Sequence, residues 1–554
     1  MTSRRTFLKR STASLVAAPI SELAFRAFAS APDAQNAQRG FIDVTHPPDA
    51  IRIQTPSGTA ALASVPGVHV RCVPSGGALR VELSAPATEV RRIGLRWNGD
   101  LSTVRLVLGD AWERGYGDFE WRSFVPDRVM PWYAATFDGT RTHAYGVRTS
   151  PAAFCSWFVD AKGVSLWMDV RSGAAPLALG ERTLVVADVI SRAGNGESPF
   201  AALRAFCRML CPDGRTPAAP VFGSNDWYYA YGKNSAQTAY ADAEHVAELS
   251  PAGNNRPFCV IDDGWQPGRG QSRDGAGMWD HGNEKFGDMA AVAAGIAQRG
   301  ARPGIWVRPL QAPANAPDAW RLARDRNMLD PTVSAVREKI ASDVARIRSW
   351  GFAMLKHDYT TFDVFGRWGY QMGSAMTRDG WTFAEGPKRT TAEVIRDLYA
   401  TIRGAAGDAT IIGCNTVSHL SAGVFELCRI GDDTSGTEWA RTRKMGVNSL
   451  AFRGAQHGAF YAADADCVGV TRAVPWASNR QWLDLVARSG TALFLSLSPD
   501  ALGGDERRDI RAALAAAAAA PPVAEPLDWQ RTAWPERWMI AGKETRYDWG
   551  PAEP

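Results

Sequence analysis

The strongest constraint on the fold is a repeating order of short apolar segments and helix-like segments that begins at Val221. Eight apolar segments have the length and composition of buried strands, and helical patterns such as 332–350 and 391–405 fill most of the gaps between them. The eight candidate strands are residues 221–224, 258–261, 304–307, 353–356, 410–413, 426–430, 458–461 and 492–495. Eight strand–helix units of this length predict a (β/α)8 TIM barrel over residues 218–520.

The segment before the barrel has a different pattern. Residues 40–215 contain short runs that alternate apolar and polar side chains, for example 67–73 and 79–83, separated by Gly, Pro, Asn and Asp. This pattern predicts an N-terminal antiparallel β-sandwich domain. Residues 521–554 are too few for a separate domain and predict a short C-terminal β extension. The expected fold class is therefore a multidomain α/β plus β protein.

The N-terminus has the features of an export signal. Ser3-Arg4-Arg5-Thr6-Phe7-Leu8-Lys9 matches the twin-arginine pattern, and a mild apolar stretch follows it. Pro19, Glu22 and Arg26 interrupt that stretch, which makes it a poor membrane-spanning helix. Residues 1–30 are therefore interpreted as a twin-arginine signal peptide. We expect a periplasmic or secreted mature protein with no membrane insertion after signal removal.

Charge and cysteine content exclude several function classes. The net charge of +4 is spread along the chain, so no basic stripe for nucleic acid is expected. The eight cysteines form no C-x-x-C pair and have no histidines at zinc-ligand spacing, so neither a metal nor a cofactor is predicted. Their density is too low for a disulfide scaffold. A single bridge, such as one between Cys207 and Cys211, stays open.

Carboxylates collect where the predicted barrel strands end, which is the end that carries the chemistry in such barrels. Asp358 follows the fourth strand and Asp433 follows the sixth, and each has a cation nearby in the sequence. Two carboxylates that face one pocket are the minimum equipment for cleaving a glycosidic bond. The chain also has 21 Trp against 12 Tyr, and indole faces can stack on sugars as well as fill a core.

Six motifs in order resemble the α-galactosidases of the melibiase group, glycoside hydrolase family 36, which is related to families 27 and 31. They are Asp-Asp-Gly-Trp at 262–265, the stretch 279–289, Gly-Ile-Trp-Val at 304–307, Lys-x-Asp at 356–358, Arg-Ile-Gly-x-Asp at 429–433 and Asp-x-Asp-Cys at 464–467. The resemblance implies retention of anomeric configuration, with Asp358 as nucleophile and Asp433 as acid/base. It also implies that Asp262 and Asp263 bind the sugar O4 and O6 hydroxyls and that no metal is needed. Members of the family often form homo-oligomers, and the sequence leaves the oligomeric state of this protein open.

Further residues are candidates for substrate binding. Lys356 lies on the same strand face as Asp358 and would stabilise its charge or hold a sugar hydroxyl, or form an ion pair that only supports the barrel. The adjacent carboxylate Asp432 would favour the protonated form of Asp433, and whether Asp432 shares the acid/base role stays open. Arg429 is a candidate for orienting either the sugar or Asp358. Cys414 is a candidate for the pocket floor. The tryptophans are candidates for pocket walls or for core residues, and they are Trp227, Trp265 and Trp306.

The sequence therefore predicts a retaining exo-glycosidase that removes terminal α-D-galactosyl residues from oligosaccharides or glycoconjugates. The alternatives are an α-N-acetylgalactosaminidase, a β-L-arabinopyranosidase, a raffinose-synthase-like transglycosylase and a carbohydrate-binding protein without catalysis. A Ca²⁺ site built from Asp262, Asp263, Asp464 and Asp466 is a further alternative, although their spacing forms no EF-hand. The loop 359–361, residues 413–416 and the short C-terminal segment depart from the family pattern, which leaves the exact sugar and aglycone open.

Overall fold

The computed structural model describes residues 40–268 and 279–550. The predicted twin-arginine signal, residues 1–30, lies outside the described residues. Within the described ranges, the strands form two antiparallel six-stranded sheets, one parallel nine-stranded sheet and one antiparallel three-stranded sheet. No helix in these ranges has the length and apolarity needed to cross a membrane.

The two six-stranded sheets occupy the N-terminal part of the chain. The strands are β1 Ala50–Thr55, β2 Gly58–Ala61, β3 His69–Ser75, β4 Ala78–Ala85, β5 Arg92–Asn98, β6 Leu106–Gly109, β7 Met130–Pro131, β8 Tyr133–Phe137, β9 Thr142–Val147, β10 Phe154–Asp160, β11 Gly163–Asp169 and β12 Gly180–Arg192. One sheet has the order β2-β1-β5-β11-β10-β7 and the other β3-β4-β12-β9-β8-β6. The sheets face each other, since the Tyr145 ring of β9 packs against the Trp157 ring of β10.

The parallel sheet follows, and helices connect its strands. The strands are β13 Phe222–Asn225, β14 Phe258–Ile261, β15 Arg302–Val307, β16 Met354–His357, β17 Thr410–Gly413, β18 Leu427–Arg429, β19 Ala462–Asp464, β20 Val468–Val470 and β21 Leu493–Leu497. The order is β19-β18-β17-β16-β15-β14-β13-β21-β20. The N–H of Ala492, just before β21, donates to the Ala463 carbonyl at 3.0 Å and so joins the edges of the curled sheet.

Helices cover the parallel sheet and link it to the sandwich. The α-helices are Pro199–Leu210, Trp227–Ala230, Ala236–Leu249, Met289–Gln298, Ser334–Ser349, Thr360–Phe365, Gly369–Met372, Thr391–Ala406, Ser418–Ser421, Trp439–Thr442, Asn448–Arg453, Trp476–Arg488 and Gly504–Ala518. Side-chain caps fix several starts, because the Ser198 and Thr390 oxygens accept hydrogen bonds from the N–H groups of Ala201 and Glu393.

The parallel sheet agrees with the sequence prediction except at the seventh strand. That strand was expected over 458–461, but it begins at Ala462. Gly458 has a φ of 72° and its N–H bonds the Tyr461 carbonyl at 2.9 Å, so these residues form a turn. The seventh position is shared by β19 and β20, which residues 465–467 separate. Asp466 in this break has a φ of 77°.

The remaining strands are β22 Glu525–Pro526, β23 Arg537–Ile540 and β24 Lys543–Arg546, which form the three-stranded C-terminal sheet. Trp529 next to this sheet contacts Trp121 of the N-terminal part edge-on at 5.4 Å and Phe452 at 5.3 Å. The C-terminal segment therefore packs against both larger parts of the chain. All eight cysteines are free thiols, so the Cys207–Cys211 bridge does not form.

Candidate active site

Side-chain alternation directs one set of residues into the parallel sheet's interior. Met354 of β16 belongs to an apolar cluster inside the sheet, together with Phe258, Val260 and Ile412. Because successive side chains point to opposite faces, the residues two or four places further along also face inward. These are Asp262, Lys356, Asp358 and Cys414, to which the neighbouring strands add Asn225, Trp306, Arg429 and Asp464. His357 faces outward, against Tyr399 and Phe425.

Asp358 lies directly after β16 and is 2% exposed. The indole N–H of Trp306 donates to its Oδ2 at 3.0 Å, and the backbone N–H of Tyr359 donates to its Oδ1 at 2.8 Å. Its own backbone N–H bonds the Val307 carbonyl at 3.0 Å. The carboxylate is therefore fixed in direction by two donors of the kind that stabilise an anion.

Tyr359 has an unusual backbone conformation, with a φ of 68°. A bulky residue in this left-handed region costs free energy, and such strain is typical of functional sites. Arg308 holds the ring, since its guanidinium lies 4.1 Å from the Tyr359 centroid while Nη2 pairs with Asp363 at 2.7 Å. The Asp363 charge holds the pKa of Arg308 above its usual range against the opposing effect of burial. The sequence alone gave no role for Arg308.

Asp433 is 8% exposed and lies between two guanidinium groups. Arg429 Nη2 is 3.3 Å from its Oδ1, and Arg114 Nη1 is 3.8 Å from the same atom. Its neighbour Asp432 forms ion pairs with Arg114 at 2.7 Å and Arg441 at 2.8 Å. The sequence suggested that the charge of Asp432 would favour the protonated form of Asp433. In the structure, the cations Arg114 and Arg441 neutralise the Asp432 charge.

Lys356 pairs with Asp262, whereas the sequence suggested Asp358 as its partner. Its Nζ is 2.6 Å from Asp262 Oδ2, and both side chains are less than one tenth exposed. Burial would lower the pKa of Lys356, but the Asp262 charge outweighs it and holds that pKa well above its usual range. Asn225 Nδ2 donates to the same Asp262 oxygen at 2.8 Å. This pair forms because Asp262 and Lys356 both point inward from strands β14 and β16.

Asp226 is a buried carboxyl behind this pair that the sequence reading did not assign. Its Oδ1 accepts the backbone N–H of Asp262 at 2.9 Å, and its Oδ2 accepts from Asn234 at 3.0 Å. Burial, followed by the charge of Asp262, raises the pKa of Asp226 to about 7. Asp263 is more exposed, and its Oδ1 accepts from Gln266 Nε2 at 2.7 Å.

Cys414 follows β17, which lies in the sheet between β16, before Asp358, and β18, before Asp433. Its Sγ is 3.8 Å from Arg114 Nη1 and 3.7 Å from Arg429 Nη1. Burial and the charge of Asp358 raise its pKa, so the sulfur is a neutral, buried thiol. Arg429 also pairs with Asp466 at 2.9 Å, and the Tyr228 hydroxyl donates to that carboxylate. Asp464, whose pKa burial raises to about 6, lies beside Arg429.

The three candidate tryptophans occupy different positions. Trp306 touches Asp358, as described above, and Trp227 is partly exposed next to the Tyr231 ring. Trp265 is fully buried, because Trp279 and Trp350 enclose it and its indole N–H bonds the Trp306 carbonyl at 2.8 Å. Trp265 therefore supports Trp306 from behind as a core residue, which is one of the two roles that the sequence left open, and it is not the pocket wall that would contact the sugar.

The N-terminal sandwich contributes residues that sequence reasoning missed. Residues 113–116 lie between β6 and β7, and the Gly115 N–H bonds the Ile430 carbonyl at 2.8 Å, next to the end of β18. Glu113 is fully buried and accepts hydrogen bonds from Asn415 Nδ2 and from the Gly369 N–H. The available signal was the charged Glu113-Arg114 pair in the segment that follows the apolar run 104–108.

The carboxylates near β14 and β19 do not form a cation site. Within residues 40–268 and 279–550, no group of three or more His, Cys, Asp or Glu side chains is arranged to hold a metal ion. Asp262 is paired with Lys356, and Asp466 with Arg429, so cationic side chains already neutralise these carboxylates.

The chain is similar in fold to solved α-galactosidase structures. No protein-family model matches the sequence, and no curated protein sequence matches it. An α-galactosidase from Thermus thermophilus, solved with p-nitrophenyl α-D-galactopyranoside, superposes with a TM-score of 0.58 at 18% identity, over 90% of this chain and 98% of that one. A GH36 α-galactosidase from Geobacillus stearothermophilus, solved with 1-deoxygalactonojirimycin, gives 0.53 at 13% identity, over 84% and 74%. An α-galactosidase from Lactobacillus brevis gives a TM-score of 0.56 at 11% identity, over 84% of this chain and 72% of that one. The chain therefore has an α-galactosidase-like GH36 fold, as its motifs predicted.

Proposed function

We propose that the protein is a retaining exo-glycosidase that hydrolyses terminal α-D-galactosyl residues. The observation that carries this proposal is the convergence of Asp358 and Asp433 on one end of the parallel sheet. Cys414 follows β17, the strand between β16 and β18, and its sulfur is 3.8 Å from Arg114 Nη1 and 3.7 Å from Arg429 Nη1, the two guanidinium groups beside Asp433. The fold shared with α-galactosidases supports the substrate class.

In the first step, the Asp358 carboxylate attacks the anomeric carbon while the bond to the leaving oxygen breaks. The two hydrogen bonds from Trp306 and Tyr359 leave lone pairs of this carboxylate for the attack. Asp433 gives its proton to the leaving oxygen and becomes a carboxylate. Arg429 and Arg114 then stabilise the charge that Asp433 gains.

In the second step, a water molecule attacks the anomeric carbon of the glycosyl-enzyme from the opposite side. Asp433 takes the proton of this water, and the bond to Asp358 breaks to release galactose with its original configuration. Both active carboxyls are regenerated, so atoms and charges balance over one turnover.

Recognition of galactose is assigned to the Asp262–Lys356 pair with Asp263. Asp262 and Lys356 present a fixed acceptor and a fixed donor, which suits hydroxyl groups that both donate and accept. Because burial makes unpaired polar groups costly, a sugar whose hydroxyls fit this pair is favoured over one whose hydroxyls do not. The axial O4 and the O6 of galactose are the hydroxyls that we assign to Asp262 and Asp263.

The test is hydrolysis of p-nitrophenyl α-D-galactoside by the purified mature protein. Asp358→Ala should lose roughly a thousand-fold or more in kcat, and azide should restore turnover by forming the β-galactosyl azide. Asp433→Ala with azide should instead give the α-galactosyl azide. Asp408→Ala is the matched control, because Asp408 is an exposed carboxylate that forms an ion pair with Arg348 at the surface.

Two results would contradict the proposal. One is an initial product that NMR identifies as β-galactose, since inversion would remove the role of a nucleophile from Asp358. The other is wild-type protein that turns over N-acetylgalactosaminides or arabinopyranosides but not galactosides. We further propose export by the twin-arginine route, based on residues 3–9, which fusion of residues 1–30 to a reporter would test in cells with and without that pathway.

A further inference from the structure

A cluster of aromatic rings lies at the rim of the site, outside the residues used above. This rim cluster comprises Tyr116 from the sandwich and Trp368 and Tyr370 from the segment after β16. The Tyr116 and Tyr370 centroids are 4.7 Å apart. Tyr370 is 46% exposed and is the one aromatic residue among the exposed large hydrophobic side chains of residues 40–268 and 279–550. An exposed aromatic face over a site is a candidate binding surface.

A buried carboxylate holds the rim cluster in position. Glu113 Oε1 accepts the backbone N–H of Gly369 at 2.8 Å and also the hydroxyl of Tyr116. Glu113 therefore connects Gly369, the residue before Tyr370, to the sandwich. The same carboxylate binds the Tyr116 hydroxyl, so the positions of Tyr116 and Tyr370 are both fixed by Glu113. Tyr116 keeps a partly exposed ring although its hydroxyl is turned toward the buried Glu113. The exposed faces are thus presented in a fixed arrangement.

The rim cluster lies on the Asp433 side of the site. The Arg114 guanidinium, 3.8 Å from Asp433 Oδ1, is also 5.8 Å from the Tyr116 centroid and 5.7 Å from the Trp368 centroid. Burial, followed by the charge of Asp432, raises the pKa of the Tyr370 hydroxyl. The Tyr116 and Trp368 rings are therefore joined to the proposed acid/base through Arg114.

From this position we infer that the rim cluster binds the leaving group of the substrate, a sugar joined to galactose, by stacking on Tyr370 and Tyr116. The inference rests on the proposed function and adds the aglycone class to it. A general acid must lie beside the oxygen that departs, so rings next to Asp433 lie beside the group that carries that oxygen. A pyranose ring presents an apolar C–H face that an exposed aromatic ring can cover.

The experiment compares two galactosyl donors in wild type and Tyr370→Ala. α-Galactosyl fluoride has no aglycone ring and reports on galactose binding and nucleophilic attack alone, whereas melibiose carries a glucose leaving group. For Tyr370→Ala, kcat/KM for melibiose should fall about ten-fold, or ~1.4 kcal/mol, mainly through KM. The value for the fluoride should stay within about two-fold.

Two matched variants separate stacking from other effects. Tyr370→Phe keeps the ring without the hydroxyl and should restore most of the melibiose activity. Met209→Ala removes an exposed apolar side chain from the helix Pro199–Leu210, away from the site, and should leave both donors unchanged. An equal loss for both donors in Tyr370→Ala, or no loss for either, would overturn the inference.

A remaining outcome concerns a second copy of the chain. If Tyr370→Ala changes the sedimentation coefficient but not the ratio of melibiose to fluoride activity, Tyr370 is a subunit contact and the inference is overturned. Failure of the proposed galactoside specificity gives a different result, since the wild type would then turn over neither the fluoride nor melibiose.

Discussion

Replacing Lys356 by methionine tests whether the pair with Asp262 serves structure, recognition or both. Methionine keeps most of the side-chain volume but leaves Asp262 as a buried carboxylate without its cation at 2.6 Å. Removing one partner of a buried pair costs about 3–5 kcal/mol in the free energy of unfolding. Asp262 keeps hydrogen bonds from Asn225 and from the Asp263 backbone, each at 2.8 Å. We therefore expect the lower part of that range, about 3 kcal/mol.

A second substitution separates stability from recognition. In the double variant Lys356→Met with Asp262→Asn, no buried charge is left alone, so about 2 kcal/mol of the lost stability should return. Activity on α-galactosides should not return, because the double variant lacks the ammonium donor of Lys356 and the charged carboxylate acceptor of Asp262. We expect kcat/KM to stay reduced by about a hundred-fold or more in both variants.

The assays are urea unfolding followed by tryptophan fluorescence, and steady-state kinetics. Lys339→Met is the matched control. Lys339 pairs with Asp343 on the helix Ser334–Ser349, and Asp343 keeps its ion pair with Arg346 at 2.8 Å, so this variant should lose less than about 1 kcal/mol. The Asp262 charge, outweighing burial, holds the pKa of Lys356 well above its usual range. This part of the stability is thus present at low pH and lost only above the usual lysine pKa, so the deficit of Lys356→Met should stay constant from about pH 6 to about pH 9.

Three results would refute this reasoning. A double variant as unstable as the sum of the single variants would show that the pair contributes no coupling. A deficit that shrinks as the pH rises within that range would show that Lys356 loses its proton there. Wild-type kcat/KM in the double variant would remove the pair from galactose recognition.

Three other residues give further predictions. Because burial and Asp262 raise the pKa of Asp226 to about 7, the folded state binds a proton that the unfolded state releases near pH 4, and stability falls as the pH rises through this interval. Between about pH 5 and pH 8, the free energy of unfolding of Asp226→Asn, measured in urea, should fall by about 2–3 kcal/mol less than that of the wild type. Equal falls in the two proteins would contradict this. Arg308→Ala removes the cation that holds the Tyr359 ring and should lower kcat about ten-fold with little change in KM. Arg308→Lys should restore only part of the lost kcat. A variant that is less stable but keeps the wild-type kcat would argue against a positioning role. Arg114→Leu should lower kcat/KM by about ten-fold or more, whereas full activity would exclude a functional contribution from Arg114.

Local patterns predicted much of the fold. Two strands, Phe258–Ile261 and Thr410–Gly413, have the predicted bounds, because each is a short apolar run between a turn and a polar motif. The seventh strand was misplaced, since the run around Phe460 is equally apolar but a glycine turn occupies it. Apolar composition marks burial and does not by itself distinguish a buried turn from a buried strand.

The site was only partly predictable for a similar reason. Alternation along β16 predicted that Lys356 and Asp358 share a face and that His357 does not, which is how the strand is arranged. It could not predict that Lys356 pairs with Asp262, because that choice depends on distances across the sheet. Nor could it assign Trp265, whose exposure depends on whether Trp279 and Trp350 close around it.

The sequence by itself determined the order of strands and helices, the carboxylates at the strand ends and the face to which each side chain points. These properties depend on neighbours within a few residues, where backbone geometry gives each element a fixed period. Only the tertiary structure decided that Arg114 joins Asp432 and Asp433, and that Glu113 anchors the rim cluster. These contacts join residues more than 250 positions apart in the chain, and no local period encodes how a sandwich loop docks against the end of a parallel sheet.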